Sequence, residues 1–357
     1  MAADTQTPAV DFLVDWDFAA RTAARVGRPG PEVSPAEAEQ IVGQLRRSAI
    51  AAHPHVQSVT GLTTVAGEGV LVVDRPGWAR ANANAFRTLL APVIKEAYEK
   101  RDKPAPSPRL AAVGSRVTGA EVGTLLGVLS SRVLGQYDAF GEQGRLLLVA
   151  PTIVAIEREL DVDPSDFRLW VCLHEETHRV QFTATDWLAE HLLSEVRELI
   201  GEVMREPSQL ADRLLAVLRD LPQIIRGEST GAPLLEALQG PEQRRRLARI
   251  TAVMSLLEGH ADVVMDDVGP QVVPTVATIR ERFSKRRAGR GALDQLLRRL
   301  LGLDAKARQY ADGAKFVRGV IEQVGMDGFN AVWQSPDTLP LPEEIADPAG
   351  WVRRVHA

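Results

Sequence analysis

The chain has 357 residues, 45% hydrophobic and 25% charged, enough apolar content to bury a sizeable core in one large domain or two ordinary ones. A net charge of −5 offers no general nucleic-acid surface, and the single cysteine, Cys172, excludes an intrachain disulfide. Met1 to Val10 lacks a basic stretch followed by an apolar core, and no apolar run approaches the roughly 20 residues of a membrane span, so a soluble, cytoplasmic protein is expected.

The segment from Trp16 to Arg25 predicts a first helix, ended by the Gly27–Pro31 break. Ser34, Pro35 and Glu37 form a capping box with proline at the first helical position, opening a helix to about Ala52. His53 and His55 flank Pro54 at its end and are expected as exposed turn histidines. Gly69 to Asp74 is short and rich in valine, which predicts a strand. A helix follows from about Gly77 to Lys100, with Pro92 as a kink, and then a proline-rich connector from Lys103 to Arg109. Thr118 and Glu121 read as a second capping box. Gly119, Gly123 and Gly127 share one face of the helix behind it, which would let another backbone come close. Arg145 to Ala150 predicts a second buried strand, and Thr152 to Leu160 a short helix.

The next helix carries the chemistry. Asp163 reads as its N-cap, Pro164 as its first residue and Asp166 as an acid in its first turn. His174, Glu175 and His178 then form the pattern His-Glu-x-x-His. Residues four apart on a helix lie one turn above each other, so His174 and His178 can grip one Zn²⁺ and leave a position for water. Glu175, offset by about 100° of helix rotation, can reach that water as general base. Two histidines and two glutamates in a largely apolar run need partners, because burying a polar group without one costs about 2–7 kcal/mol. The rival reading is an amphipathic helix with hydrogen-bonded core histidines. Cys172 is expected to face away from the histidines as an inert buried thiol.

Beyond it, Trp187 to about Met204 predicts a helix, followed by amphipathic segments at 207–219 and 232–239. The charge run from Glu242 to Arg246 is expected to be solvated. Leu247 to Met265 predicts a long apolar helix. The basic stretch Arg280–Arg290 is expected as an exposed loop, with an acidic partner as the alternative. Helices continue through Lys306–Tyr310 and Gly313–Phe316, and a proline-rich tail from Pro336 to Pro348 lies over the body. The expected division is 1–110, an N-terminal helical region with a short strand; 111–335, the metal-binding core; and 336–357, a tail, all in one compact unit. The fold class is mainly α with a small β-sheet.

A catalytic zinc takes three protein ligands plus water. Gln181 and Ala184 stand where an extended motif would place Gly and a third His, and a downstream glutamate is the alternative. Glu198 sits in a charged context, whereas Glu258 lies among Leu256, Leu257, Val263 and Val264, where a carboxylate needs a reason to be buried. That context favours Glu258. Asp262 shares its face and could accept a hydrogen bond from a ligand imidazole. His260 points to another side, as a fourth ligand, a transition-state donor or a structural residue.

The segments Val133–Asp138, Phe167–Glu175, Leu257–Asp262 and Gln309–Tyr310 together resemble an uncharacterised actinobacterial zincin-like family assigned to zinc metallopeptidases or hydrolases. Some of its members are linked to biosynthesis of a deazaflavin coenzyme. The resemblance runs from about Trp16 to Trp351 and implies a mostly helical zincin-like metallopeptidase core, with His174 and His178 as ligands and Glu175 as base. The resulting expectation is a zinc-dependent hydrolase, foremost a metallopeptidase, acting on a peptide or small-molecule substrate. His260 and Tyr310 are candidate oxyanion donors. The alternative is a non-catalytic scaffold braced by a closed, four-ligand metal.

Overall fold

The computed structural model describes residues 13–64, 69–99, 108–140, 144–205, 240–288 and 303–357. The chain divides into two units: Met1–Ala52 with Ala66–Glu175, and His53–Val65 with Glu176–Ala357.

In the first unit, helix α1 (Trp16–Val26) is capped by Asp15, whose carboxylate accepts from the Phe18 amide at 2.8 Å. Helix α2 (Pro35–Thr60) opens on Ser34, which accepts from the Glu37 amide at 3.2 Å. It runs past the expected end at Ala52 and contains Pro54, a residue whose missing N–H and ring would ordinarily break it. Helix α3 (Arg75–Glu99) contains Pro92, and helix α4 (Pro108–Ser130) lies along α1. A Cβ on Gly119 would stand 2.6 Å from the Asp15 carbonyl and one on Gly127 2.9 Å from that of Ala23, so glycine is what lets the two helices meet. Thr118 does not start a helix. It sits mid-helix and its hydroxyl donates to the Gly114 carbonyl at 3.2 Å, the back-bond that lets a threonine be tolerated there.

The sheet is small and mixed. Strands β1 (Val70–Val73), β2 (Gly135–Asp138) and β3 (Arg145–Val149) lie in the order β1-β3-β2, with β1 parallel and β2 antiparallel to β3. Central β3 is buried from Leu146 to Val149 and runs straight into helix α5 (Ala150–Leu160). Strand β2 has no hydrophobic alternation to announce it. Its Gln136 accepts from the Trp78 indole at 2.9 Å and donates to Asn82 at 3.1 Å, which ties the strand to α3.

Helix α6 (Pro164–Thr183) follows, its Asp163 accepting from the Asp166 amide at 2.9 Å as the capping signal requires. The second unit is built from α7 (Leu188–Arg205), α8 (Pro241–Val268), α9 (Val276–Ala288), α10 (Leu303–Phe329), short 3₁₀ turns and α11 (Pro348–Val355). Leu188, Leu256, Leu257, Phe316, Phe329 and Trp351 are among its core residues, each large side chain contributing about 1.5–3 kcal/mol by burial. Helices α8 and α10 cross at Gly259 and Gly313, where a Cβ on either would strike the other's backbone.

In the 242–246 run Glu242, Arg244 and Arg245 are exposed as expected, and two features depart from expectation. Arg246 is buried rather than solvated, held by Glu195 at 3.1 Å, Glu198 at 2.6 Å and Glu202 at 3.3 Å, a helical stripe on α7. Arg280 to Arg286 is helical, with Arg280 bound to Asp266 at 2.6 Å. The segments at 207–219 and 232–239 lie outside the described residues, as do most of the Lys103–Arg109 connector and residues 289–290. Among the described residues, no helix is long and apolar enough to cross a membrane.

Candidate metal centre

Helix α6 carries the His-Glu-x-x-His motif. The division between the units falls between Glu175 and Glu176, inside this one continuous helix. Phe167, Val171, Cys172, Leu173 and Val180 are buried, with the Cys172 thiol 3.8 Å from the Leu45 carbonyl. These apolar contacts hold the helix, and its helical spacing in turn sets His174 one turn before His178.

His178 Nε2 lies 3.9 Å from Glu258 Oε2, a carboxylate delivered by α8. His174, His178 and Glu258 each offer a ligand atom, and all three lie within 4.8 Å of one another. Bonds of about 2.0–2.2 Å in a tetrahedral arrangement place donor atoms about 3.4 Å apart, so a zinc ion fits after an inward movement of less than an ångström or so. All three residues are half-buried, with the His178 side chain 14% and the Glu258 side chain 21% exposed. Two imidazoles and a carboxylate make a donor set suited to zinc, and three protein ligands leave a fourth position free.

Glu175 is buried at 6% exposure. The start of β2 lies against it, for a Cβ on Gly135 would fall 2.6 Å from Glu175 Cγ and 2.9 Å from Oε1. Glu176 and Arg179 occupy another face of the helix. There Arg179 Nε donates to Glu176 Oε2 at 2.8 Å, and His53 Nδ1 lies 2.7 Å from Glu176 Oε1. His53 is thus a helical, 12%-exposed neighbour of the Glu176–Arg179 pair, its Nδ1 2.8 Å from Arg179 Nη2, and not an exposed turn histidine, because α2 continues through it.

On the metal face, the partner seen at His178 Nδ1 is Gln181 Oε1, 2.9 Å away. The Gln181 amide nitrogen donates to the Leu257 carbonyl at 2.9 Å and lies 3.0 Å from His260 Nδ1. In the sequence Gln181 stands out only as the residue occupying the place of a glycine in the extended motif; its burial emerges with the structure. His260 is completely buried, its ring centroid 5.2 Å from Phe329 and 5.4 Å from Trp333. Its Nε2 has no hydrogen-bond partner among the described residues. Burial first, and the neighbouring His178 second, push its pKa down to about 3, so the ring is neutral.

The other expected site residues fall as follows. Glu198 faces Arg246 and not the histidines. Asp262 accepts from Arg280 at its backbone carbonyl, at 3.0 Å. His260 is not a member of the three-residue ligand group. Tyr310 is on α10, in a stretch whose side chains lie outside the described residues.

Two histidines on one helix and a glutamate from a later helix form the ligand set of one class of zinc hydrolases. The sequence model of zincin-like metallopeptidases matches residues 14–352, and the chain belongs to that family. The fold matches a crystal structure from Chloroflexus aurantiacus, described as a presumed hydrolase with a novel fold, at 30% identity and a TM-score of 0.67. That match covers 96% of this chain and 99% of the other. No functionally curated protein matches the chain.

Proposed function

We propose that the chain is a zinc-dependent hydrolase of peptide bonds, with His174, His178 and Glu258 as ligands and Glu175 as general base. The observation that carries this reading is the convergence of three ligand atoms within 4.8 Å on the face of the His-Glu-x-x-His helix. Zinc, when bound, supplies a water whose pKa is lowered to about 7 and a Lewis acid for the scissile carbonyl.

Glu175 takes a proton from the attacking water and passes it to the leaving amine. Its burial, and the press of Gly135 against it, hold the carboxylate in one place during both transfers. Tyr310 is the side chain proposed to donate to the tetrahedral oxyanion, whereas His260, fully buried against Phe329 and Trp333, stands behind the metal face.

The test is paired. Elemental mass spectrometry of the purified chain is expected to give close to one zinc per chain. Glu175→Gln is expected to retain that zinc while hydrolysis of a mixed peptide library falls by about 10²–10⁴-fold. Unchanged turnover removes Glu175 from the mechanism. X-ray absorption showing a fourth protein ligand would instead make the zinc a structural brace.

A further inference from the structure

The proton positions around His178 follow from one carbonyl. The Leu257 carbonyl oxygen can only accept, so the Gln181 group 2.9 Å from it must be the amide NH₂. The other end of that amide, Oε1, then faces His178 Nδ1 at 2.9 Å. A carbonyl oxygen accepts, so His178 Nδ1 must carry a proton. A neutral imidazole protonated at Nδ1 has its lone pair on Nε2, and Nε2 is the atom that lies 3.9 Å from Glu258.

His260 closes the same chain. The second hydrogen of the Gln181 NH₂ faces His260 Nδ1 at 3.0 Å, so that nitrogen accepts and the His260 proton sits on Nε2. Both hydrogens of the amide are then engaged, and turning it over would set its oxygen against the Leu257 carbonyl, two acceptors with no proton between them. The Leu257 carbonyl thus holds the amide in one orientation. Gln181 is fully buried, so water does not compete for these bonds.

We propose that Gln181 is a positioning residue that fixes His178 as the Nδ1–H tautomer, with the Leu257 carbonyl and His260 Nδ1 fixing Gln181 in turn. Resting on the zinc-hydrolase reading, this assigns His178 Nε2 as the ligand atom and gives His260 a role behind the metal face. The arrangement replaces the carboxylate that commonly holds a zinc-bound histidine with an amide that carries no charge. It orients the ring without adding a negative charge near the metal.

The test reads tautomers directly, by nitrogen-15 NMR of histidine-labelled full-length chain stripped of metal. His178 is expected as Nδ1–H and His260 as Nε2–H; His178 protonated at Nε2 alone would overturn the proposal. The cadmium-113 form reads the same point with metal bound, and a one-bond coupling to His178 Nδ1 instead of Nε2 is equally fatal. Zinc affinity, by chelator competition, supplies the variant arm. Gln181→Leu and Gln181→Met, which keep the bulk but not the acceptor for the Nδ1 proton, are expected to bind zinc about 10–100-fold more weakly. Unchanged affinity in both variants would reduce Gln181 to packing. A wild-type chain that takes up no zinc defeats the hydrolase reading, whereas the metal-free tautomer measurement still decides the role of Gln181.

Discussion

Two faces of helix α6 bury polar groups, and they do so by opposite rules. On one, Glu176 is answered by Arg179, whose guanidinium also lies 2.8 Å from His53 Nδ1, so the carboxylate meets a cation and the pair closes on itself. On the other, His174, His178 and Glu258 converge, and each of them is a lone-pair donor. A burial argument alone treats both faces as places needing an explanation. The composition of each cluster separates them: a closed ion pair needs only geometry, whereas two imidazoles and a carboxylate gain by sharing a cation.

The comparison is broken most severely at the metal face. Replacing His178 with Ala is expected to abolish stoichiometric zinc, measured by elemental mass spectrometry, and with it any hydrolysis. Next comes the other face. Removing the Glu176 carboxylate in Glu176→Ala leaves Arg179 buried without its counter-ion and is expected to cost about 3–5 kcal/mol in denaturant unfolding. The refolded variant is expected to keep its zinc; loss of zinc at full folding would mean that the two faces are not separate devices.

A smaller effect tests the seat of Glu175. Gly135→Ala places a methyl within 2.6 Å of Glu175 Cγ, and overpacking of this kind costs about 1–3 kcal/mol. Turnover is expected to fall more than stability, with zinc content unchanged, because the displaced group is the proposed base and not a ligand. The smallest effect is expected from Glu198→Ala. Its side chain is 55% exposed and shares Arg246 with two other glutamates, so a stability change under about 1 kcal/mol and full zinc content are expected. Zinc loss in that variant would return Glu198 to the ligand set in place of Glu258.

Much of this was legible in the chain, and the reasons differ by residue. The α6 cap at Asp163, the strand at β1 and β3, and the close approach at Gly119, Gly123 and Gly127 depend on neighbours within a few positions, so local chemistry announced them. Thr118 shows the limit of that logic. Its capping pattern is genuine, but the helix already runs through it from Pro108, and a hydroxyl can satisfy itself on the preceding turn. Likewise Pro54 signalled the end of a helix that continues to Thr60, and with that error went the reading of His53. Strand β2 was missed because nothing in Gly135, Gln136, Tyr137 and Asp138 alternates; its pairing with β3 and the bonds at Gln136 define it.

The sequence by itself determined the motif and its spacing. Helical periodicity is a short-range property, and it obliges His174 and His178 to face the same way wherever the helix is placed. The choice of a partner carboxylate, and of the groups that orient the imidazoles, belonged to tertiary structure. Glu258 reaches His178 only because α8 is seated against the core through Leu256 and Leu257 and against α10 through Gly259. Gln181 meets Leu257 and His260 across nearly eighty residues of chain. Contacts at that separation leave no periodic trace in the sequence, because no local preference for helix, strand or turn records which distant atom a side chain will meet.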